Sequence, residues 1–373
     1  MKVISTGSKY QIFKNDLKTF DKLPADFYSV HFHPMEGFSL LSSQKIVVSE
    51  KIYGEHQKKV DKILNAFKIF DRNLGVILSG EKGIGKSLCA KMLAEQACAA
   101  GYPLIIVDNY SPGIAKFLSE IEQEVVIMFD EFDKTFSNAG HKDDMDDPQS
   151  EMLSLFDGLS MGKKMFIITC NEIYKLNDFL VNRPGRFHYH LRFGYPNEAE
   201  IREYLEDKLD KSKYNEINKV IQFANKVNLN YDCLRAIAFE ISVDNPFEEA
   251  VKDLNILNLQ DENYTAKVFF ENGEILTNKS CELNLFKDEI SISFDIDGKY
   301  WRHDLSITFD SNFLNYDPYL KGNVVRGDYL EVEWIELDED DPPMSDRFKS
   351  CKNSKIAYVL VQRKDAKNLH YLV

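Results

Sequence analysis

Gly80-Glu81-Lys82-Gly83-Ile84-Gly85-Lys86-Ser87 decides how the rest of this chain is read. The spacing G-x-x-x-x-G-K-[ST] is that of a phosphate-binding loop. Its glycines let backbone N–H groups turn inward around α- and β-phosphates. Lys86 is placed to reach β- and γ-phosphates, and the Ser87 hydroxyl to bind Mg²⁺. Just upstream, Leu74-Gly75-Val76-Ile77-Leu78 is a continuous apolar run suited to a buried parallel strand. Just downstream, residues 87–100 are rich in helix formers, with Leu88, Met92, Leu93 and Ala97 spaced for one face. A helix in that position points the positive end of its dipole at the phosphates. The candidate nucleotide-binding residues are therefore Gly80, Glu81, Lys82, Gly83, Ile84, Gly85, Lys86, Ser87 and Leu88.

Three more apolar runs follow, at residues 104–107, 125–129 and 165–169, alternating with helical patterns. This alternation predicts an α/β fold with a doubly wound parallel sheet. The second run ends in Asp130-Glu131. Asp130 is suited to hold Mg²⁺ through its water shell, and Glu131 to polarise an attacking water as general base. The third run ends in Thr169-Cys170-Asn171. A polar residue there faces the crevice where such sheets bind ligands, which makes Asn171 a candidate for orienting water; an Asn at that place is also a good turn residue. Asn182-Arg183-Pro184-Gly185-Arg186-Phe187 then displays two arginines on a stiff corner, useful against charge developing on a γ-phosphate.

Taken in order, the phosphate loop, Phe129-Asp130-Glu131, Thr169-Cys170-Asn171 and Arg183-Pro184-Gly185-Arg186-Phe187, with helices after them, resemble an AAA+ ATPase over about residues 48–255. The resemblance implies a P-loop fold that binds ATP with Mg²⁺. It also implies that Asn171 is the sensor on the fourth strand. Arg183 and Arg186 would reach the nucleotide of a neighbouring subunit in a ring, most often a hexamer. Tyr231-Asp232-Cys233-Leu234-Arg235 matches the position of a sensor-2 arginine, so Arg235 is a further candidate, or a helix-surface residue. Tyr53 and Gly54 lie where the family clamps the base. The aromatic-apolar-Gly pore loop of AAA unfoldases is replaced by Ala115-Lys116-Phe117-Leu118-Ser119. Phe117 reads either as a pore aromatic or as a packed helix-face residue.

These readings divide the chain into a strand-rich segment 1–47, an α/β nucleotide-binding part 48–195, a helical lid 196–258 and a β-rich domain 262–373. Pro196-Asn197 opens the lid, whose apolar residues recur at helical spacing, and Pro246 starts a short last helix. Beyond it the period drops to two, at residues 267–270, 290–294, 329–334 and 358–361, with Asn-Gly, Asp-Gly and Lys-Gly turn steps between.

A net charge of −14 disfavours broad affinity for nucleic acid or anionic membrane. The six cysteines form no C-x-x-C pair, as expected of reduced thiols in a cytoplasmic protein. No apolar run reaches the ~18 residues of a membrane span, and no signal-peptide apolar region opens the chain. His31 with His33, and His188 with His190, alternate on strand faces and read as packed or satisfied histidines. The acidic stretches His141-Lys142-Asp143-Asp144-Met145-Asp146-Asp147 and 336–341 read as solvated surface, the first without calcium-loop spacing. An acidic pore loop would repel phosphate backbones. The leading functional expectation is an ATPase that remodels a protein client. The alternatives are a clamp-loader-like or helicase-loader-like factor and a nucleotide-gated scaffold.

Overall fold

The computed structural model describes residues 2–14, 17–48, 51, 53–54, 56–136, 147–157, 162–181, 183–256, 261–296, 304–317, 319–335 and 345–364. Ile52, the acidic loop 141–146, Asn182, the Asp-Gly step 297–298 and the acidic run 336–343 lie outside them. The chain divides into two compact units, residues 1–194 and 195–373.

The first unit begins with a hairpin, β1 (Lys2–Thr6) and β2 (Lys9–Phe13). There follow β3 (Phe27–His33), β4 (Gly37–Ser42), α1 (His56–Ile69), β5 (Leu74–Ser79), α2 (Lys86–Ala99), β6 (Leu104–Val107), α3 (Ile114–Ser119) and β7 (Val125–Phe129). The unit closes with α4 (Phe132–Thr135), α5 (Pro148–Phe156), β8 (Lys164–Cys170) and β9 (Phe187–Arg192). Seven strands form one sheet in the order β4-β3-β6-β7-β8-β5-β9, parallel except for β4. β5, β7 and β8 are buried along their whole length. That is why their sequences run apolar without alternation. β3 lies towards one side of the sheet and is only half-buried, and it joins by parallel pairing of Phe27 with Leu104. Residues 27–42 are thus strands of the central sheet, where the sequence suggested a segment of their own.

Helix and strand faces meet in an aromatic core of Phe129, Phe132, Phe136, Phe156 and Phe166. Phe117 packs against this core and stacks on Phe38 with ring centroids 5.2 Å apart. It is the packed helix-face residue of the two readings. α5 starts at Asp147, whose carboxylate accepts from the Gln149 and Ser150 N–H groups, with Pro148 in the first turn. The last acid of the acidic loop is therefore a helix cap.

The second unit opens with α6 (Glu198–Lys208), α7 (Ile217–Ala224), α8 (Tyr231–Ser242) and α9 (Phe247–Asp253). Asn197 and Glu200 form a reciprocal capping box at α6. The β region contains β10 (Glu262–Phe270), β11 (Ile275–Leu283), β12 (Glu289–Asp295), β13 (Asp304–Asp310), β14 (Asn315–Asp317), β15 (Gly322–Arg326), β16 (Glu331–Ile335), α10 (Asp346–Lys352) and β17 (Ile356–Arg363). Two antiparallel sheets, β11-β10-β17-β15-β14 and β12-β13-β16, share one core. Tyr264, Val268, Ile292, Phe294, Ile307 and Val361 fill it. β12 alternates between exposed and buried residues throughout, as period two requires. Arg363, at the end of β17, pairs with Glu262 at 3.4 Å and donates to the Ala224 carbonyl at 3.3 Å and to Asn228 Oδ1. This ties the β region to the end of α7.

Candidate functional site

The parallel order places the C-terminal ends of β5, β7 and β8 side by side, where open α/β sheets bind ligands. The loop 80–85 leaves β5 and feeds α2. Gly80, Gly83 and Gly85 have φ of 142°, 74° and 93°, which a side chain would strain. A Cβ on Gly80 would also lie 2.4 Å from the Phe193 carbonyl oxygen. Ile84 is buried, and Lys86 is 7% exposed with its Nζ donating to the Glu81 carbonyl. Burial pushes the Lys86 ammonium below its ordinary value, while the carboxylates of Asp133, Glu81 and Asp130 oppose that shift. A buried cation folded back on the loop's own carbonyl is poised for an anion to replace that partner.

Ser87 Oγ donates to Asp130 Oδ1 at 3.2 Å, so the phosphate loop and the end of β7 meet. Thr169, at the end of β8, bonds the Asp130 carboxylate and the Glu131 backbone. Its hydroxyl donates to Asp130 Oδ1 and accepts the Glu131 N–H at 2.8 Å. Glu131 has a left-handed backbone, φ 48° and ψ 48°, unusual for a residue with a Cβ. Asn171 Nδ2 lies 3.4 Å from Glu131 Oε1, and Lys134 pairs with the same carboxylate at 2.5 Å. The Lys134 hydrogen bond, then that of Asn171, holds the Glu131 carboxyl below the usual carboxylate range, in the basic form. Asp133 is buried and accepts the N–H groups of Asn171 and Glu172 at 3.1 and 3.0 Å. It fixes the turn that carries Asn171. Lys86, Ser87, Asp130, Glu131 and Asn171, from three loops, thus stand together.

The two arginines make their contacts elsewhere. Arg183 is exposed, with its guanidinium carbon 5.0 Å from the Phe179 ring centroid. Arg186 is tied down. Its Nε and Nη2 bind the Asp157 carboxylate, the second at 2.7 Å, and its Nη1 donates to the Phe179 carbonyl at 2.7 Å. Tyr53 is buried, with Lys51 Nζ 5.2 Å from its ring, and Gly54 has φ 71°. Arg235 is exposed on α8 and lies 3.8 Å from Asp232. His190 Nε2 is 2.7 Å from Ser79 Oγ, and His188 stands edge-on to Phe70, so both have partners.

Sequence reasoning passed over Thr169, Asp133, Lys134 and Asp157. Thr169 sits within Thr169-Cys170-Asn171, and Asp133 and Lys134 follow closely on Phe129-Asp130-Glu131; Thr169 and Asp133 find their partners at a neighbouring strand end, while Lys134 pairs with Glu131 three residues before it. Asp157 carries no local signal, since its partner lies beyond β8.

Residues 76–195 match the model of the ATPase family associated with various cellular activities (AAA). Peroxisomal ATPase PEX6 of Dictyostelium discoideum is 28% identical over 195 residues, 48% of this chain and 16% of that protein. Protein CdcH of Halobacterium salinarum is 28% identical over 145 residues, 35% of this chain and 19% of that protein. The probable 26S proteasome regulatory subunit 4 of Caenorhabditis elegans is 29% identical over 147 residues, 35% of this chain and 33% of that protein. The shared stretch is thus at most a third of any of the three. The matched residues 76–195 cover the phosphate loop, both acids, Asn171 and the arginine corner, and over that stretch the chain carries an AAA ATPase domain.

Proposed function

We propose that the chain hydrolyses ATP at sites completed between copies of itself and uses the cycle to remodel a protein client. The observation that carries this is the convergence of Lys86, Ser87, Asp130, Glu131 and Asn171 at the C-terminal ends of β5, β7 and β8. The triphosphate lies in the glycine loop, with Lys86 on its β- and γ-phosphates. Ser87 and Asp130, a hydroxyl beside a carboxylate, are the donors that would hold Mg²⁺, which draws charge from the phosphate oxygens. Glu131, held ionised, takes a proton from the attacking water, and Asn171 orients that water. The corner that carries Arg183 and Arg186 serves a neighbouring subunit's site. The exposure of Arg183 on that corner supports action in trans. Tyr53 and Gly54 are proposed at the base, and Arg235 as a nucleotide sensor.

A pure scaffold needs no activated water, so a glutamate held beside Asn171 at the strand ends favours hydrolysis. The acidic charge balance favours a protein client over nucleic acid, in a cytoplasmic setting. No described helix is long and apolar enough to cross a membrane. The Arg363 link from α7 to the β region would carry lid motion to a bound client. Phosphate release measured alone, with single-stranded DNA and with an unfolded protein tests the reading. Stimulation by the protein is expected; stimulation by DNA alone would move the assignment to nucleic-acid metabolism. No hydrolysis under any condition would remove it.

A further inference from the structure

The two arginines of the corner are held differently, although they lie three residues apart. Arg186 spends three donors on fixed partners, with its side chain 11% exposed. A bidentate guanidinium–carboxylate pair is directional, and separating it leaves a carboxylate unmatched. The pair also closes a small structure. Asp157 follows the last turn of α5, and the Arg186 N–H and the Phe187 N–H both bind the Arg183 carbonyl, at 2.9 and 3.0 Å. Phe187 then opens β9 beside the phosphate-loop strand. Phe179 serves both arginines. Its carbonyl accepts from Arg186 and its ring lies under Arg183. Among the described residues no carboxylate lies within ion-pair distance of Arg183, although its charge adds to that of Arg186 on Asp157. A cation resting on a half-exposed ring keeps its donors available, since the ring takes none of them.

We infer that Asp157 and Arg186 are positioning residues that lock the corner, and that Arg183 alone is the cation delivered to the neighbouring subunit's nucleotide. This rests on the hydrolytic reading above. Loss of Asp157 or Arg186 unfastens the corner and misplaces Arg183. Loss of Arg183 leaves the corner intact and removes the charge.

The test compares Arg183→Ala, Arg186→Ala, Asp157→Ala and the Asp157→Ala/Arg186→Ala double variant, in Tm, ATP affinity and phosphate release. Arg183→Ala is expected to keep the wild-type Tm and ATP affinity and to lose roughly a thousandfold or more in turnover, the range of an arginine finger. Asp157→Ala and Arg186→Ala are each expected to lower Tm and to lose about a hundredfold in turnover, as misplacement does. The double variant should be no worse than either, because both act through one contact. Subunits with Asp157→Ala, mixed with Lys86→Ala subunits, should regain turnover, because an intact corner then faces an intact phosphate loop. A merely structural role for Asp157 would give no such rescue and would overturn the inference. So would normal turnover in Asp157→Ala together with an inactive Arg186→Ala of unchanged Tm, which makes Arg186 the delivered cation. If Arg186→Ala does not fold, Arg186→Lys replaces it and is expected to behave as Asp157→Ala, since a point charge cannot make the paired contact. If wild-type protein releases no phosphate, the hydrolytic reading and the Arg183 assignment fall. The anchor is then decided by Tm alone, and additive losses in the double variant would refute it.

Discussion

Replacing Thr169 with Val removes one hydroxyl and keeps the shape of a side chain that is 1% exposed. No cavity forms, so the effect isolates two hydrogen bonds. The Glu131 N–H loses its acceptor at 2.8 Å, and Asp130 loses a donor. A buried N–H left unmatched costs about 1–3 kcal/mol, and a lost hydrogen bond to a charged group about 1.5–3 kcal/mol. Both act through the same hydroxyl and are not additive. The left-handed backbone of Glu131, worth about 1–2 kcal/mol of strain, is also free to relax, which offsets part of the loss. The expected destabilisation is therefore about 2–4 kcal/mol, less than the ~2.5–6 kcal/mol of the two added together. In a unit of this size that lowers Tm by roughly 5–15 °C. The relaxation that softens the stability loss moves the Glu131 carboxylate, so turnover should fall about a hundredfold. Thermal unfolding followed by circular dichroism and a phosphate-release assay on the same preparation measure both. An unchanged Tm with unchanged turnover would refute the claim that Thr169 holds the two acids in place.

Three other outcomes are expected. Glu131→Gln keeps ATP binding and stalls with nucleotide bound, read by retained labelled ATP on gel filtration; normal turnover would remove Glu131 as the base. Phe117→Ala loses about 1–2 kcal/mol of stability, less than the ~3–5 kcal/mol of a fully buried Phe, and leaves ATP turnover alone. Loss of client processing at unchanged Tm would instead mark Phe117 as a pore residue. Burial pushes the Lys164 ammonium down to about 8, with its Nζ donating to the Ile121 and Gly162 carbonyls at 2.9 and 3.2 Å. Between that value and the ordinary lysine range the unfolded chain holds more protons than the folded one, so unfolding free energy rises with pH there. The penalty of burying the charge is full below the window and relieved above it. Urea unfolding across the window should show that rise in wild type and a smaller one in Lys164→Met; equal slopes would contradict it.

Much of the α/β half is legible because its strands are buried on both faces. Residues 74–79, 125–129 and 164–170 read as continuous apolar runs, and the glycine loop names its own ligand. The helices between residues 198 and 253 announce themselves through Asn197, Pro246 and apolar spacing. The β region is harder. β11 reads Ile-Leu-Thr-Asn-Lys-Ser-Cys-Glu-Leu, and only Leu276 and Leu283 of it are buried, so its period is masked by polar residues. The Asn272-Gly273 turn before it was readable, since Gly273 takes φ 90°. β3 was legible as a strand but not as part of the central sheet, because pairing with β6 is a contact across some seventy intervening residues that local pattern does not encode. The same limit hid Asp157, while Thr169 was passed over because its two partners come from another strand.

Catalysis shared between neighbours is tested most directly by phosphate release from assemblies containing both Lys86→Ala and Arg183→Ala subunits. Each variant alone is expected to be inactive. In a head-to-tail ring mixed at random, about a quarter of the sites pair an intact Lys86 with an intact Arg183 from the next subunit, so turnover should recover to about that fraction of wild type. Assemblies shown to contain both variants and still releasing no phosphate would contradict the account.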